Sequence, residues 1–295
     1  MTELIDLVVA PMRYPFMVRG LLASLLVGTL SAVVGAYVVL RGMAFLGDAL
    51  AHAILPGVAV AFLLGQSLFW GALIMGLITA VGIGFLGRRG EIKEDTAVGI
   101  IFAASFALGV ALLSTVQSYS VDLTHILFGN ILGVSRSDLW LTLGLGIVVL
   151  ATIFLLYKEL LVVSFDPVLA STLHLPTNLL NYLLLVLIAL TIVVSLQTVG
   201  VALMVAMLVT PAATAYLLTR KLWHMMLVGA VVGAISSVSG LYLSFYTNIA
   251  SGSAAVLVCT AIFVLVFLFA PRRGVIWNGV NSLRQRAGAK PAIAR

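Results

Sequence analysis

Cysteine, charge and linker-like stretches are what this chain lacks. Its one cysteine, Cys259, excludes an internal disulfide, an iron–sulfur cluster and a thiolate zinc site. Charged residues fill only 9% of the 295 positions against 62% hydrophobic ones, and the mean hydropathy is +1.22, which excludes a soluble enzyme. No G-x-x-x-x-G-K-[ST] run occurs, so there is no phosphate-binding loop of the ATPase kind, and any ATP must be hydrolysed by another polypeptide. The N-terminal MTELIDLVVAPMRYP carries acids and a proline and lacks a basic start and a small-residue cleavage site; it reads as a retained segment lying at the lipid interface. No repeat and no Pro- or Gly-rich linker divides the chain, so one domain over 1–295 is expected.

What is present is a series of apolar runs, at 17–40, 42–65, 67–87, 95–117, 137–158, 179–197, 199–219, 225–246 and 253–271. Each is close to the ~20 residues that cross a bilayer as a helix, and only helices or closed barrels satisfy the backbone there. The expectation is an all-α polytopic membrane protein of about nine spans. Eight is the alternative, because 17–40 with 42–65, or 179–197 with 199–219, are closely spaced. The net charge of +6 sits in loops and tails rather than on one soluble face, which argues against nucleic acid as a partner. If the loops after spans one, three, five and seven face the cytoplasm with the tail 272–295, thirteen basic residues lie on that side. Only Arg13, Arg19 and Arg136 lie opposite. That bias puts the C-terminus in the cytoplasm. The tail itself, polar and basic, reads as solvated or lying on the lipid surface.

Asp48 is the only one of ten acids that falls within a span, and His52 the only histidine near the middle of one. Four residues apart on a helix, they share one face. A carboxylate in hydrocarbon costs at least about 2.5 kcal/mol, so an intramembrane acid marks a function by default. Against this stands the plain reading, in which the two hydrogen-bond each other and anchor a bundle. Carboxylate oxygen with imidazole nitrogen suits a divalent transition metal. Two ligands are too few for such an ion, which takes four to six, whereas a homodimer whose second spans line the two-fold axis supplies four. Met43, Met204 and Met207 offer soft contacts but read first as core filler.

Between spans five and six, FDPVLASTLHLP predicts a short helix over 166–174. Asp166 is a good N-cap, Pro167 a good first residue, and Pro176 a stop. Such a helix, parallel to the membrane, is either an interfacial anchor or a knob that docks into a partner. In the third loop, RRGEIKED, Glu94 and Asp95 open span four where acids complement the helix dipole; they read as solvated or as facing a cytoplasmic vestibule that receives cations. Gly229 and Gly233 form a small-xxx-small pattern, a weak signal of close helix approach.

Four segments together resemble the permease subunit of bacterial ATP-binding-cassette importers for manganese, zinc or iron: RGMAFLGDALAHAILPGVA at 41–59, LFGNILGVSRSDL at 127–139, FDPVLASTLHLPTNLLNYLLL at 165–185 and LQTVGVALMVAMLVTPAATAYLL at 196–218. The likeness runs from about Phe16 to Pro271. It implies a type II importer permease acting as a homodimer in the inner membrane of a prokaryote. Two separate ATPase subunits would power it and an external or periplasmic binding protein would deliver the metal. Asp48 and His52 match the family's metal-path residues. Phe165, Asp166, Pro167, Leu173, His174, Leu175 and Pro176 match the coupling helix that sits in the ATPase cleft. Where the family usually has Gly before the Leu-Pro step, this chain has His174, a residue that tolerates a left-handed backbone better than most. No permanently bound cofactor is implied, only a transported ion. The stretch from His52 to Gly57, with Pro56, resembles the manganese and iron branch more than the zinc branch, so Mn²⁺ is favoured over Zn²⁺ or Fe. A partner-independent secondary metal transporter or channel is the alternative; it would be expected to show more intramembrane ionisable residues or an inverted repeat.

Overall fold

The computed structural model describes residues 9–87, 93–115 and 131–270. The tail 272–295, residues 88–92 of the third loop, Asp122 and His125 lie outside the described residues.

Every regular element among the described residues is helical: α1 (Pro15–Leu40), α2 (Leu46–Ala53), α3 (Leu55–Leu63), α4 (Leu68–Gly87), α5 (Glu94–Ser114), a 3₁₀ turn (Ile131–Gly133), α6 (Arg136–Leu155), α7 (Tyr157–Phe165), α8 (Pro167–Thr172), α9 (Thr177–Val199), α10 (Val201–Leu218), α11 (Leu222–Thr247) and α12 (Ser251–Phe269). Among the described residues, eight stretches have the length and apolarity to cross a membrane. One of them, Leu46–Leu63, is α2 and α3 placed end to end. The seventh of the nine apolar runs becomes α10, a shorter apolar helix, so the described residues hold eight full-length spans. Its start is fixed by Gly200, whose φ of 82° ends α9 and lets the chain turn straight into α10.

α1 is the central post. About 72% of its membrane window is buried, against 22% for α5, α6 and α12, and it packs on α6, α9, α10 and α11. Without a hydrophobic drive between helices in lipid, close packing depends on small residues. A Cβ on Gly28 of α1 would lie 2.9 Å from the Gly233 carbonyl oxygen and 2.5 Å from Ser237 Oγ of α11. The two backbones are therefore in direct contact. The Gly229–Gly233 pattern is divided between two neighbours: Gly233 meets α1, and Gly229 faces Pro211 of α10, with its nearest approach at 3.6 Å. α3 and α4 cross in the same manner at Gly57 and Gly71. Ser31 and Ser195 hydroxyls, 3.4 Å apart, join α1 to α9.

The ends are capped by local chemistry. Ser135 and Asp138 form a capping box at the start of α6: the Asp138 amide donates to Ser135 Oγ at 3.1 Å and the Ser135 amide to the Asp138 carboxylate at 3.0 Å. The C-terminus of α1, the α4 and α5 ends and both flanks of α8 converge at one end of the bundle. There Arg41 reaches Ser164 and Asn181, and a small cavity brings Gly87 and Glu94 to Asn178. Arg220 and Lys221 join the same end, lining a groove with Asp166.

Placing a leucine at Gly233 forces α1 and α11 apart, so Gly233→Leu is expected to lower the monodisperse fraction after detergent extraction several-fold. Gly144→Leu, at an exposed position with nothing within 4 Å of a Cβ, is expected to leave it unchanged. Size-exclusion profiles of the two variants make the comparison.

Candidate functional site

α2 is short because its sequence stops it. Pro56 has no N–H to give the carbonyl four residues back, which is that of His52, so the α-helical ladder breaks one turn after the histidine. Ile54 caps α2 and starts α3, its amide reaching the His52 carbonyl. Broken helices at membrane depth are tolerated where they are held by protein or line a path.

Asp48 and His52 both lie on α2, and Oδ1 of one stands 3.6 Å from Nε2 of the other. That separation is too long for a hydrogen bond. It fits two donors on one ion, since metal–ligand bonds of about 2.1 Å at 90–120° place donors roughly 3.0–3.6 Å apart. The two side chains remain 42% and 29% exposed in the single chain, so they face outward from the α1 core. Their neighbours on α2, Leu46, Ala49, Leu50 and Ala53, are buried and fix the helix face.

An aromatic wall on α5 flanks the histidine, and the sequence reading missed it. His52 packs edge-to-face on Phe106 at 5.9 Å and lies 6.2 Å from Phe102, which in turn meets Phe45 at 5.8 Å. Phe102 and Phe106 stand four apart, a spacing that pointed to one shared helix face. These rings pack along one side of the imidazole.

Among the described residues no group of three or more His, Cys, Asp or Glu side chains is close enough to hold a metal. Met43, Met204 and Met207 are buried in the core, Met204 and Met207 fully, as filler. Glu94 and Asp95 are exposed at the start of α5, eight and seven residues before Phe102 and so about 10–12 Å along the helix axis from it. Glu94 shares a small cavity with Met43, Asn178, Asn181 and Tyr182. The structure therefore brings Asp48 and His52 together and leaves the two acids near one end of the bundle.

At that end α8 is a single six-residue helix with Asp166 as its N-cap. Oδ1 accepts from the amides of Val168 at 3.0 Å and Leu169 at 2.9 Å, and Pro167 occupies the first position. The helix closes with a Schellman turn: the Leu175 amide donates to the Ala170 carbonyl and the His174 amide to that of Ser171, both at 3.1 Å, with His174 at φ 55°. The left-handed turn that Gly usually makes is thus made here by histidine. Phe165, Val168, Leu169 and Leu173 are left exposed around this knob.

Residues 13–270 match the ABC 3 transport family. The chain belongs to that family. It is 48% identical to a manganese transport system membrane protein, MntC, of Halalkalibacterium halodurans, over 94% of this chain and 96% of the relative, and 44% identical to the manganese import system permease ScaB of Streptococcus parasanguinis, over 92% and 96%. The solved structure of PsaBC from Streptococcus pneumoniae in complex with Fab superposes with a TM-score of 0.80 at 41% identity, covering 92% of this chain and 97% of that one. An inward-facing metal-chelate type ABC transporter, 17% identical with a TM-score of 0.67, shares the fold. Family membership makes the chain the membrane-embedded transport subunit of a bacterial inner-membrane ABC system, with ATP hydrolysis in a separate subunit.

The His174 turn yields a test. A left-handed backbone costs a residue with a Cβ roughly 1–2 kcal/mol, most of it avoided by glycine. His174→Gly is therefore expected to keep or raise thermal stability by a degree or two and to preserve uptake, while β-branched His174→Ile lowers both. Melting of the purified protein together with transport distinguishes them.

Proposed function

We propose that this chain is the permease subunit of a manganese importer and that Asp48 and His52 are the residues the ion meets in the membrane. The observation that carries this is their convergence on one exposed face of a broken helix, 3.6 Å apart and unbonded to each other. The names of the MntC and ScaB relatives support Mn²⁺ over Zn²⁺ or Fe. So does the carboxylate, a ligand suited to manganese.

One chain offers two donors, so the path is built by two copies, each contributing its α2 to the two-fold axis. All of 1–295 forms one domain in this scheme. The knob from Phe165 through Asp166 and Pro167 to Leu173, His174, Leu175 and Pro176 docks with an ATPase subunit, one on each copy. Exposed apolar side chains clustered at Phe165, Leu169 and Leu173 around the short α8 support that role over a free surface. Asp166 acts there as a helix cap rather than as a contact. An external binding protein delivers the metal to the opposite face. The basic loops and the C-terminus face the cytoplasm, where Glu94 and Asp95 form a vestibule for the released ion. No cofactor is retained; the metal is cargo.

ATP-driven Mn²⁺ uptake into liposomes that hold the permease and its ATPase tests this, with Zn²⁺ and Fe²⁺ as competitors. Asp48→Ala and His52→Ala are expected to assemble normally and to drop uptake to background. Retention of uptake by both would remove the pair from the path.

A further inference from the structure

Arg41 ends α1, and its guanidinium joins elements that are far apart in sequence. Nη2 donates to Asn181 Oδ1 of α9 at 2.6 Å, and Nε donates to Ser164 Oγ of α7 at 3.3 Å. Ser164 lies three residues before α8 and Asn181 five residues after Pro176, so the two contacts bracket the knob.

On its other side Arg41 leads directly into the metal helix. A Schellman turn closes α1, with Gly42 at φ 69°, its amide on the Val39 carbonyl at 3.1 Å and the Met43 amide on that of Val38 at 3.0 Å. Met43 is buried, its carbonyl accepts from Leu46, and α2 begins there. Six residues of turn and first helical turn thus separate Arg41 from Asp48. A segment this short, anchored at one end by the Schellman turn and at the other by the Leu46–Met43 bond, carries a displacement of Arg41 toward α2.

The adjoining cavity of about 70 Å³, lined by Glu94, Asn178, Asn181 and Tyr182, is polar enough to suggest a cation site of its own. Arg41 argues against that. It holds the Asn181 oxygen that such an ion would need, and its positive charge already faces Glu94. Burial pushes the Arg41 guanidinium below its ordinary value, with the Glu94 carboxylate working in the opposite direction. A partly desolvated cation held by two neutral acceptors is a strong, directional joint.

We propose that Arg41 is the positioning residue that passes movement of the α8 knob to the Asp48–His52 pair, so that ATP turnover and metal movement stay coupled. This rests on the functional reading above. It does not make Arg41 a metal ligand or a contact of the ATPase.

The test measures ATP hydrolysis and Mn²⁺ uptake together, in proteoliposomes holding the permease with its ATPase, for wild type, Arg41→Ala, Arg41→Lys and Asn181→Leu. If wild type itself moves no Mn²⁺, the proposed function fails, independently of Arg41. Given wild-type uptake, Arg41→Ala and Asn181→Leu are expected to assemble and to hydrolyse ATP near the wild-type rate, while ions moved per ATP fall about tenfold, within the usual range for a lost coupling. Arg41→Lys, which keeps the charge but not the two-pronged geometry, is expected to fall between. Parallel loss of hydrolysis and uptake, an unchanged ratio in all three, or failure of all three to assemble would each overturn the proposal by making the contact structural or irrelevant.

Discussion

A carboxylate within an apolar span is the constraint around which this structure is arranged. Asp48 loses most of its hydration at that depth unless something polar faces it, and within its own chain the nearest candidate, His52 Nε2, stays too far away to serve as a hydrogen-bond partner. The fold nevertheless holds the pair firmly. The buried face of α2 packs its leucines and alanines into the core, and the phenyl rings of α5 wall the imidazole. A helix that breaks at Ile54 also needs neighbours close enough to support it. The glycine crossing at Gly57 and Gly71 brings α4 against α3, and α2 rests on α9 and α10, which in turn pack on α1, itself pressed against α11 at Gly28 and Gly233.

Much of this was legible in residue order because it rests on local chemistry. Helix spans follow from runs of apolar residues, and their observed ends fall within a few residues of the runs. Asp166 and Pro167 announce the start of α8, and the tolerance of histidine for positive φ anticipated the turn at His174. The second span was read as continuous although Pro56 lay in plain view, because apolarity says nothing about backbone bonding. The break follows from which carbonyl loses its donor. The nine runs became eight full spans and a shorter α10 for a related reason: Gly200 at φ 82° starts a new helix without any polar loop to mark it.

What was not legible is what depends on distant partners. Arg41 looked like one of thirteen topology signals, and nothing in its vicinity marks it out. Its partners are 123 and 140 residues away, at Ser164 and Asn181, and only folding makes it a joint. Phe102 and Phe106 are ordinary residues for a lipid-facing helix until α5 is laid against α2. The small-xxx-small pattern on α11 was visible, but its division between α1 and α10 was not, since one helix surface can serve two neighbours at once.

Under the proposed function, the shortage of ligands in a single chain becomes part of the mechanism. A site with four protein donors in one rigid unit would hold a divalent ion against its gradient and release it slowly, whereas transport requires binding weak enough to reverse. Splitting the donors between two copies ties affinity to the distance between them: with the α2 helices close, four donors reach one ion, and with them apart each copy retains only two. No chemical change at the ligands is then needed for release. A shift of an ångström or two along the axis between copies suffices, because a coordination bond of about 2.1 Å does not survive that much stretching. The short bonded path from the coupling knob through Arg41 to Asp48 is of the right kind to deliver a displacement of that size, and the break at Ile54 lets α2 move without dragging α3 with it.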